Sequence, residues 1–328
     1  MKAVLMRSAI LLITFNRPEP TKRVIEALRG VRPSRIYIAS DGPRAGRADD
    51  VTNIAAVRAL TATIDWECEV KTLFRERNVG CREGPASAID WFFSHESEGI
   101  ILEDDCLPAE SFFQYCDELL ERFRDDERIA QICGSAFVPS PVPDRDYWFS
   151  KYADIWGWAT WRRAWSQVDL DMADWPAWRD RGELARLPGA TPAFIDYWTH
   201  LFDVTYDGRL ADCWDFQWML TCWQRGWLSI VPRVSQITNI GFDGDATHTS
   251  GYDRLNPAVR TPSGTLTFPL RHNDNVRTYP SAERAHGRIR YSLSAASEGA
   301  ARARQIPILG NALVASVKMV RATIAKRG

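Results

Sequence analysis

The sequence has no CxxC pair, and its seven cysteines are an odd number scattered from Cys68 to Cys222. A disulfide framework or a zinc ribbon is therefore not expected, and a reducing, cytoplasmic setting fits best. The five histidines include no HExxH or other zinc spacing. There is no Walker A loop, no GxGxxG after the first apolar run and no GxSxG elbow. These absences argue against P-loop, dinucleotide-binding and α/β-hydrolase chemistry. The formal net charge is -1, so no global basic field points to nucleic acid. No apolar stretch reaches the length of a membrane span. Residues 1–15 carry Lys2 and Arg7 ahead of a brief apolar run without a small-residue cleavage site. A buried first strand is expected there rather than a signal peptide.

Tryptophan is what the chain has in excess. Of 14, 12 lie between Trp148 and Trp227. Such rings can cover the flat C–H faces of sugars, or they can fill a core or a partner surface. Composition leaves both readings open.

The first 135 residues alternate strand and helix. Apolar runs predict strands over 9–15, 35–39, 99–102 and 129–133, and 69–74 reads as a further strand. Helical spacing predicts helices over 19–29, 51–60, 85–93 and 109–124. This order implies βαβ units, a mostly parallel central sheet flanked by helices, and a ligand site beyond the carboxyl ends of the strands. The polar residues fall there: Thr14, Asn16 and Arg17 after strand one, Asp41-Gly42 after strand two, Glu103-Asp104-Asp105 after strand four. Residues 136–250 read as an irregular, Trp-rich half packed on the sheet. Residues 251–304 read as a loop-rich extension with a hairpin near Gly264. Residues 305–328 have Ile308, Leu313, Val317 and Ile324 at helical spacing, with Lys318, Arg321, Lys326 and Arg327 adding positive charge. They predict a basic amphipathic helix suited to peripheral membrane contact or to a docking surface.

Three successive acids at a strand end bring like charges together, which is unfavourable unless a cation is present. Carboxylate oxygens suit a hard cation such as Mn²⁺ or Mg²⁺. Such an ion can bridge two phosphates and stabilise a leaving diphosphate. Taken alone, the triplet also fits an acidic surface turn beside a helix N-terminus.

On these residues the chain resembles the GT-A fold glycosyltransferases, and among them the N-acetylglucosaminyltransferase I group and its bacterial relatives. The resemblance covers residues 9–242 in separated motifs. Ile13-Thr14-Phe15-Asn16-Arg17 is similar to that group's nucleotide-binding start, and Ser40-Asp41-Gly42 to the strand end whose Asp contacts the uracil. The resemblance implies Asp105 as the direct metal ligand, with Glu103 and Asp104 toward sugar and ribose. It places Trp158, in Ile155-Trp156-Gly157-Trp158, beside the donor sugar. Trp214-Asp215-Phe216-Gln217-Trp218-Met219 is similar to the region holding the catalytic base, which implies Asp215. Pro232-Arg233-Val234-Ser235 resembles a donor-binding loop, which adds Ser235. Arg82, in a turn after strand three, is a candidate phosphate contact. His248, in Ala246-Thr247-His248-Thr249, is a candidate for a late metal or diphosphate contact.

The expected activity is a metal-dependent, inverting transfer of a sugar from a nucleotide-diphosphate donor such as a UDP-sugar. The acceptor would be a saccharide or lipid-linked saccharide of the cell envelope. Two other classes compete. A sugar nucleotidyltransferase would carry a glycine-rich loop where this chain has Thr14-Phe15-Asn16-Arg17-Pro18. A non-catalytic carbohydrate-binding or membrane-associated protein would use the tryptophans and need no acidic turn.

Overall fold

A computed structural model describes residues 6–210, 212–241 and 264–293. The expected helix over 305–328, the candidate His248 and residues 251–263 and 294–304 of the loop-rich extension lie outside the described residues.

β1 (Ala9–Thr14) is apolar on both faces because both are covered. Ile10 and Leu12 pack with Val24, Ile25 and Leu28 of α1 (Pro18–Val31) on one side. Ala9 and Leu11 pack with Ile89 and Phe92 of α3 (Gly80–His95) on the other. The apolar residues of α1 recur at helical spacing, and Pro18 opens it at a position where no backbone donor is needed. β2 (Arg35–Ser40), α2 (Ala48–Ala59), β3 (Glu69–Phe74) and β4 (Glu98–Glu103) follow in chain order. α3 begins five residues before Pro85, which the sequence suggested as its start.

With β6 (Ile129–Cys133), β7 (Tyr147–Ser150), β8 (Trp158–Trp161) and β9 (Leu228–Pro232), the eight-stranded sheet runs β3-β2-β1-β4-β8-β6-β9-β7. Its first four strands are parallel, with β1 paired to β2 on one side and to β4 on the other. Strand order therefore reverses at β1, and the gap above the carboxyl ends of β1, β2 and β4 is a topological switch point. Beyond β4 the sheet is mixed. β8 runs antiparallel to both β4 and β6. β9 is parallel to β6, and β7 is antiparallel to β9. The expected mostly parallel sheet is thus a mixed one, parallel across β3-β2-β1-β4 and again between β6 and β9.

The second half was expected to be irregular and to pack on the sheet. Instead it supplies three strands of the sheet itself, and these are four or five residues long. Strands so short, and buried on both faces, show no alternation to read. A second departure is α9 (Pro280–Tyr291), which lies where the sequence suggested only loop. Its Glu283 is fully buried and accepts a hydrogen bond from Ser150 Oγ at 3.1 Å, which ties the helix to β7.

The tryptophans are core. Of the 12 between Trp148 and Trp227, only Trp156 and Trp227 escape burial. Trp158, Trp165, Trp214 and Trp218 pack on one another with ring centroids 5.6–6.2 Å apart. Trp218 donates its indole hydrogen to Gln131 Oε1 at 2.6 Å, and Gln131 Nε2 donates to Asp154 O at 2.6 Å. Burying a tryptophan is tolerated when its N–H finds such a partner. Among the described residues no helix is long and apolar enough to cross a membrane.

Candidate active site

The carboxyl ends of β1, β2 and β4 open onto a cleft of about 380 Å³. Thr14, Arg17, Asp41, Glu103, Asp104 and Asp105 all line it. The acidic turn is fixed from two sides. β4 delivers Glu103, and β5 (Cys106–Pro108) follows at once, pairing antiparallel with β10 (Ile237–Asn239). Ile240 N also donates to Asp105 O at 2.8 Å.

Arg17 answers two of the three acids. Its guanidinium donates to Asp104 and lies 3.1 Å from Asp105 Oδ2. Asp104 is buried and also accepts from Phe15 N at 3.2 Å. Burial works against Arg17's charge, but Asp104 and Asp105 outweigh it and hold the guanidinium firmly protonated. Glu103 has no ion-pair partner among the described residues. Burial, then the charges of Asp105 and Asp104, push its carboxyl up to about 8. One guanidinium thus answers Asp104 and Asp105, while Glu103 is held protonated at neutral pH by its burial and by its acidic neighbours.

Asp41 is held by the turn that follows β3. It accepts from Asn78 Nδ2 at 2.9 Å and from the backbone N–H groups of Gly42, Val79 and Gly80 at 2.8, 3.1 and 3.3 Å. Gly42 permits this approach, since a Cβ there would meet the backbone of Arg77 at 2.4 Å. Thr14 Oγ1 donates to Ala39 O at 3.1 Å, joining β1 to β2 at the cleft floor.

Other sequence candidates lie elsewhere. Trp158 is fully buried among the other tryptophans, and Trp156 lines the cleft in its place. The intervening Gly157 has φ +57, so the two rings do not follow strand alternation. A Cβ at Gly157 would collide with Ile237 at 2.4 Å. Arg82 turns from the cleft: it donates to Leu170 O at 2.7 Å and pairs with Asp171 at 2.8 Å. Ser235 is buried and donates to Ile237 O at 2.9 Å, outside the cleft lining. Asn16 donates to Asp50 Oδ1 at 2.8 Å and lines a second pocket of about 350 Å³ behind Arg17.

Asp215 opens α8 (Asp215–Gln224). It borders a water-sized cavity of about 20 Å³, shared with Trp156, Asp154 and Arg290. Trp156 lines both this cavity and the large cleft. Asp215 is close enough for its charge to bear on Glu103.

Asn78 and Cys81, from the turn that carries Arg82, line the cleft, and so do residues that the sequence did not single out: Arg44, Arg75, Asp212 and Asn239. Arg75 directly follows β3, so its place at a strand end was a readable signal. Arg44 is held by Asp50 at 2.7 Å, a contact that only the fold creates. Burial, followed by Asp212, Glu103 and Asp41, pushes the Cys81 thiol up to about 11, so it stays protonated at neutral pH.

Among the described residues no group of three His, Cys, Asp or Glu side chains is arranged to hold a metal ion. The donor set suits a hard cation in kind but not in number. Mg²⁺-type sites commonly use one or two carboxylates and complete their shell with substrate phosphates and water. Asp105, at the cleft face of the turn, fits that pattern.

No protein-family model and no curated protein matches the sequence. Among solved structures, the chain is similar to HddC from Yersinia pseudotuberculosis at 13% identity and a TM-score of 0.27. The match covers 38% of this chain and 59% of that one, less than two thirds of its length. So slight a likeness carries no argument about fold or function.

Proposed function

We propose that the protein is a glycosyltransferase of the GT-A type that takes its sugar from a nucleotide-diphosphate donor, such as a UDP-sugar. One observation carries the reading. The acidic turn, Asp41 and Arg17 come from three separate strand ends and converge on one cleft at the switch point of the sheet. Nucleotide ligands favour that location in open α/β sheets.

In this reading the base and ribose lie toward Asp41 and Thr14, and the diphosphate lies toward Arg17 and the acidic turn. Asp105 would hold the divalent cation, Mn²⁺ or Mg²⁺. Bound there, the cation would neutralise charge developing on the leaving diphosphate. Glu103 and Asp104 orient the sugar and ribose. Asp215 takes the proton from an acceptor hydroxyl as that oxygen attacks the anomeric carbon from the face opposite the diphosphate. Positioning, general base action and charge stabilisation act together. Trp156, between the cleft and the Asp215 cavity, forms the wall along which donor sugar and acceptor meet. The acceptor is a saccharide or lipid-linked saccharide hydroxyl.

The burial of the tryptophans removes the main support for a non-catalytic sugar-binding protein, since the stacked rings present no face to a ligand. A screen of nucleotide-sugars for slow, Mn²⁺-stimulated donor hydrolysis tests the proposal. Release of the nucleoside diphosphate from one donor is expected. Absence of release from every donor, with or without acceptor saccharides, would contradict it.

A further inference from the structure

We infer that Arg17 is a latch on the acidic turn: it occupies Asp104 and Asp105 in the free protein and leaves Asp105 only when a diphosphate enters the cleft. The inference rests on the proposed function and adds an order of binding to it. Cation and diphosphate then bind cooperatively, because each relieves a contact that opposes the other.

Three observations support the latch. The guanidinium bridges both carboxylates and sits 3.1 Å from Asp105 Oδ2, the oxygen on the side of Gly241. A dication at that oxygen would lie against a positive charge already bonded to it, which weakens its binding. Second, the chain after β10 crowds the pair on the Gly241 side. A Cβ on Gly241 would lie 2.3 Å from Asp105 Oδ2 and 2.8 Å from Arg17 Nη1, so not even a methyl group fits beside the pair. Third, Arg17 has open space beside it. Its side chain is 24% exposed, against 4% for Asp104, and it borders both the cleft and the second pocket behind it. A diphosphate offers the guanidinium a bidentate partner of equal geometry and greater charge. Arg44 and Arg75 line the same cleft, but each is held by another group: Arg44 by Asp50, Arg75 through its hydrogen bond to Ser87 Oγ at 2.7 Å. Neither is seen to contact the acidic turn.

The test is calorimetric titration of Mn²⁺ alone into the full chain, repeated with saturating UDP, for the unaltered protein, Arg17→Gln and Arg75→Gln. Thermal melting establishes that each variant is folded. Without UDP, Arg17→Gln should bind Mn²⁺ about 10-fold more tightly than the unaltered protein, within the usual range of coupling between sites. The further gain on adding UDP should shrink by about the same factor, because the coupling is reciprocal. Arg75→Gln removes an equal charge from the same cleft and should shift Mn²⁺ affinity less than about 3-fold. Should Arg17→Gln not fold, Arg17→Lys keeps the charge but cannot bridge two carboxylates, and should give a smaller tightening in the same direction. If the unaltered protein binds Mn²⁺ with UDP, and the Arg17 variants bind it alone no better than Arg75→Gln, the latch is wrong and the proposed function stands. If no form binds Mn²⁺ with or without UDP, the metal-dependent reading fails and takes the latch with it.

Discussion

The four parallel strands β3-β2-β1-β4 end in polar turns that face an open cleft, whereas β8, the strand next to β4, begins and ends on buried tryptophans. Both halves belong to one sheet, yet they hold their unusual residues for opposite reasons. In the parallel half, charged groups meet at strand ends, where the backbone turns and solvent or ligand can reach them. In the mixed half, large rings fill the volume under short strands and irregular connections, and the indole hydrogens of Trp218 and Trp223 are given to Gln131 Oε1 and Lys151 O. A cluster of aromatic residues in a sequence is therefore not in itself a binding surface. What decides is whether the rings have each other, or a ligand, as neighbours.

The comparison can be broken most sharply at Trp218. Truncation to alanine leaves a large cavity and strands Gln131 Oε1, and should lower stability by about 3–5 kcal/mol in denaturant unfolding. The same change at Trp156, which is only half-buried beside the cleft, should cost clearly less stability and show its main effect in turnover. Equal losses at the two sites would erase the distinction between core and cleft tryptophans. Next in size is Asp215→Asn, which should reduce turnover about 100-fold or more while leaving UDP affinity nearly unchanged. Normal turnover in this variant would remove Asp215 as the base. The smallest effect is expected for Arg82→Ala. Its partner Asp171 is 88% exposed, so the loss should be less than about 1 kcal/mol, with donor affinity unaltered. A marked loss of donor affinity would return Arg82 to the cleft.

The parallel half was legible because its signals are local. Continuous apolar runs marked β1, β2 and β4, and the turn after each of these showed which polar residues would gather at the carboxyl ends. Thr14, Arg17, Asp41, Glu103, Asp104 and Asp105 do meet there. What could not be read depends on long-range placement. β8 is inserted between β4 and β6 although it follows both in the chain, and nothing in Trp158–Trp161 announces that antiparallel pairing. Trp156 and Trp158 are two residues apart, and only the left-handed Gly157 sends one to the cleft and the other to the core. Arg82 and Asn16 illustrate a third limit: each has the right chemistry for a phosphate or base, but Asp171 and Asp50 are nearer.

The proposed transfer depends above all on the acidic turn as a place where a cation and a nucleoside diphosphate meet. Calorimetric titration of UDP into the protein, with and without Mn²⁺, tests this directly when Asp105→Asn is measured alongside. UDP should bind about 10-fold or more tightly with Mn²⁺ present, and Asp105→Asn should abolish that gain while remaining folded. Binding of UDP that ignores both the metal and the substitution would contradict the account.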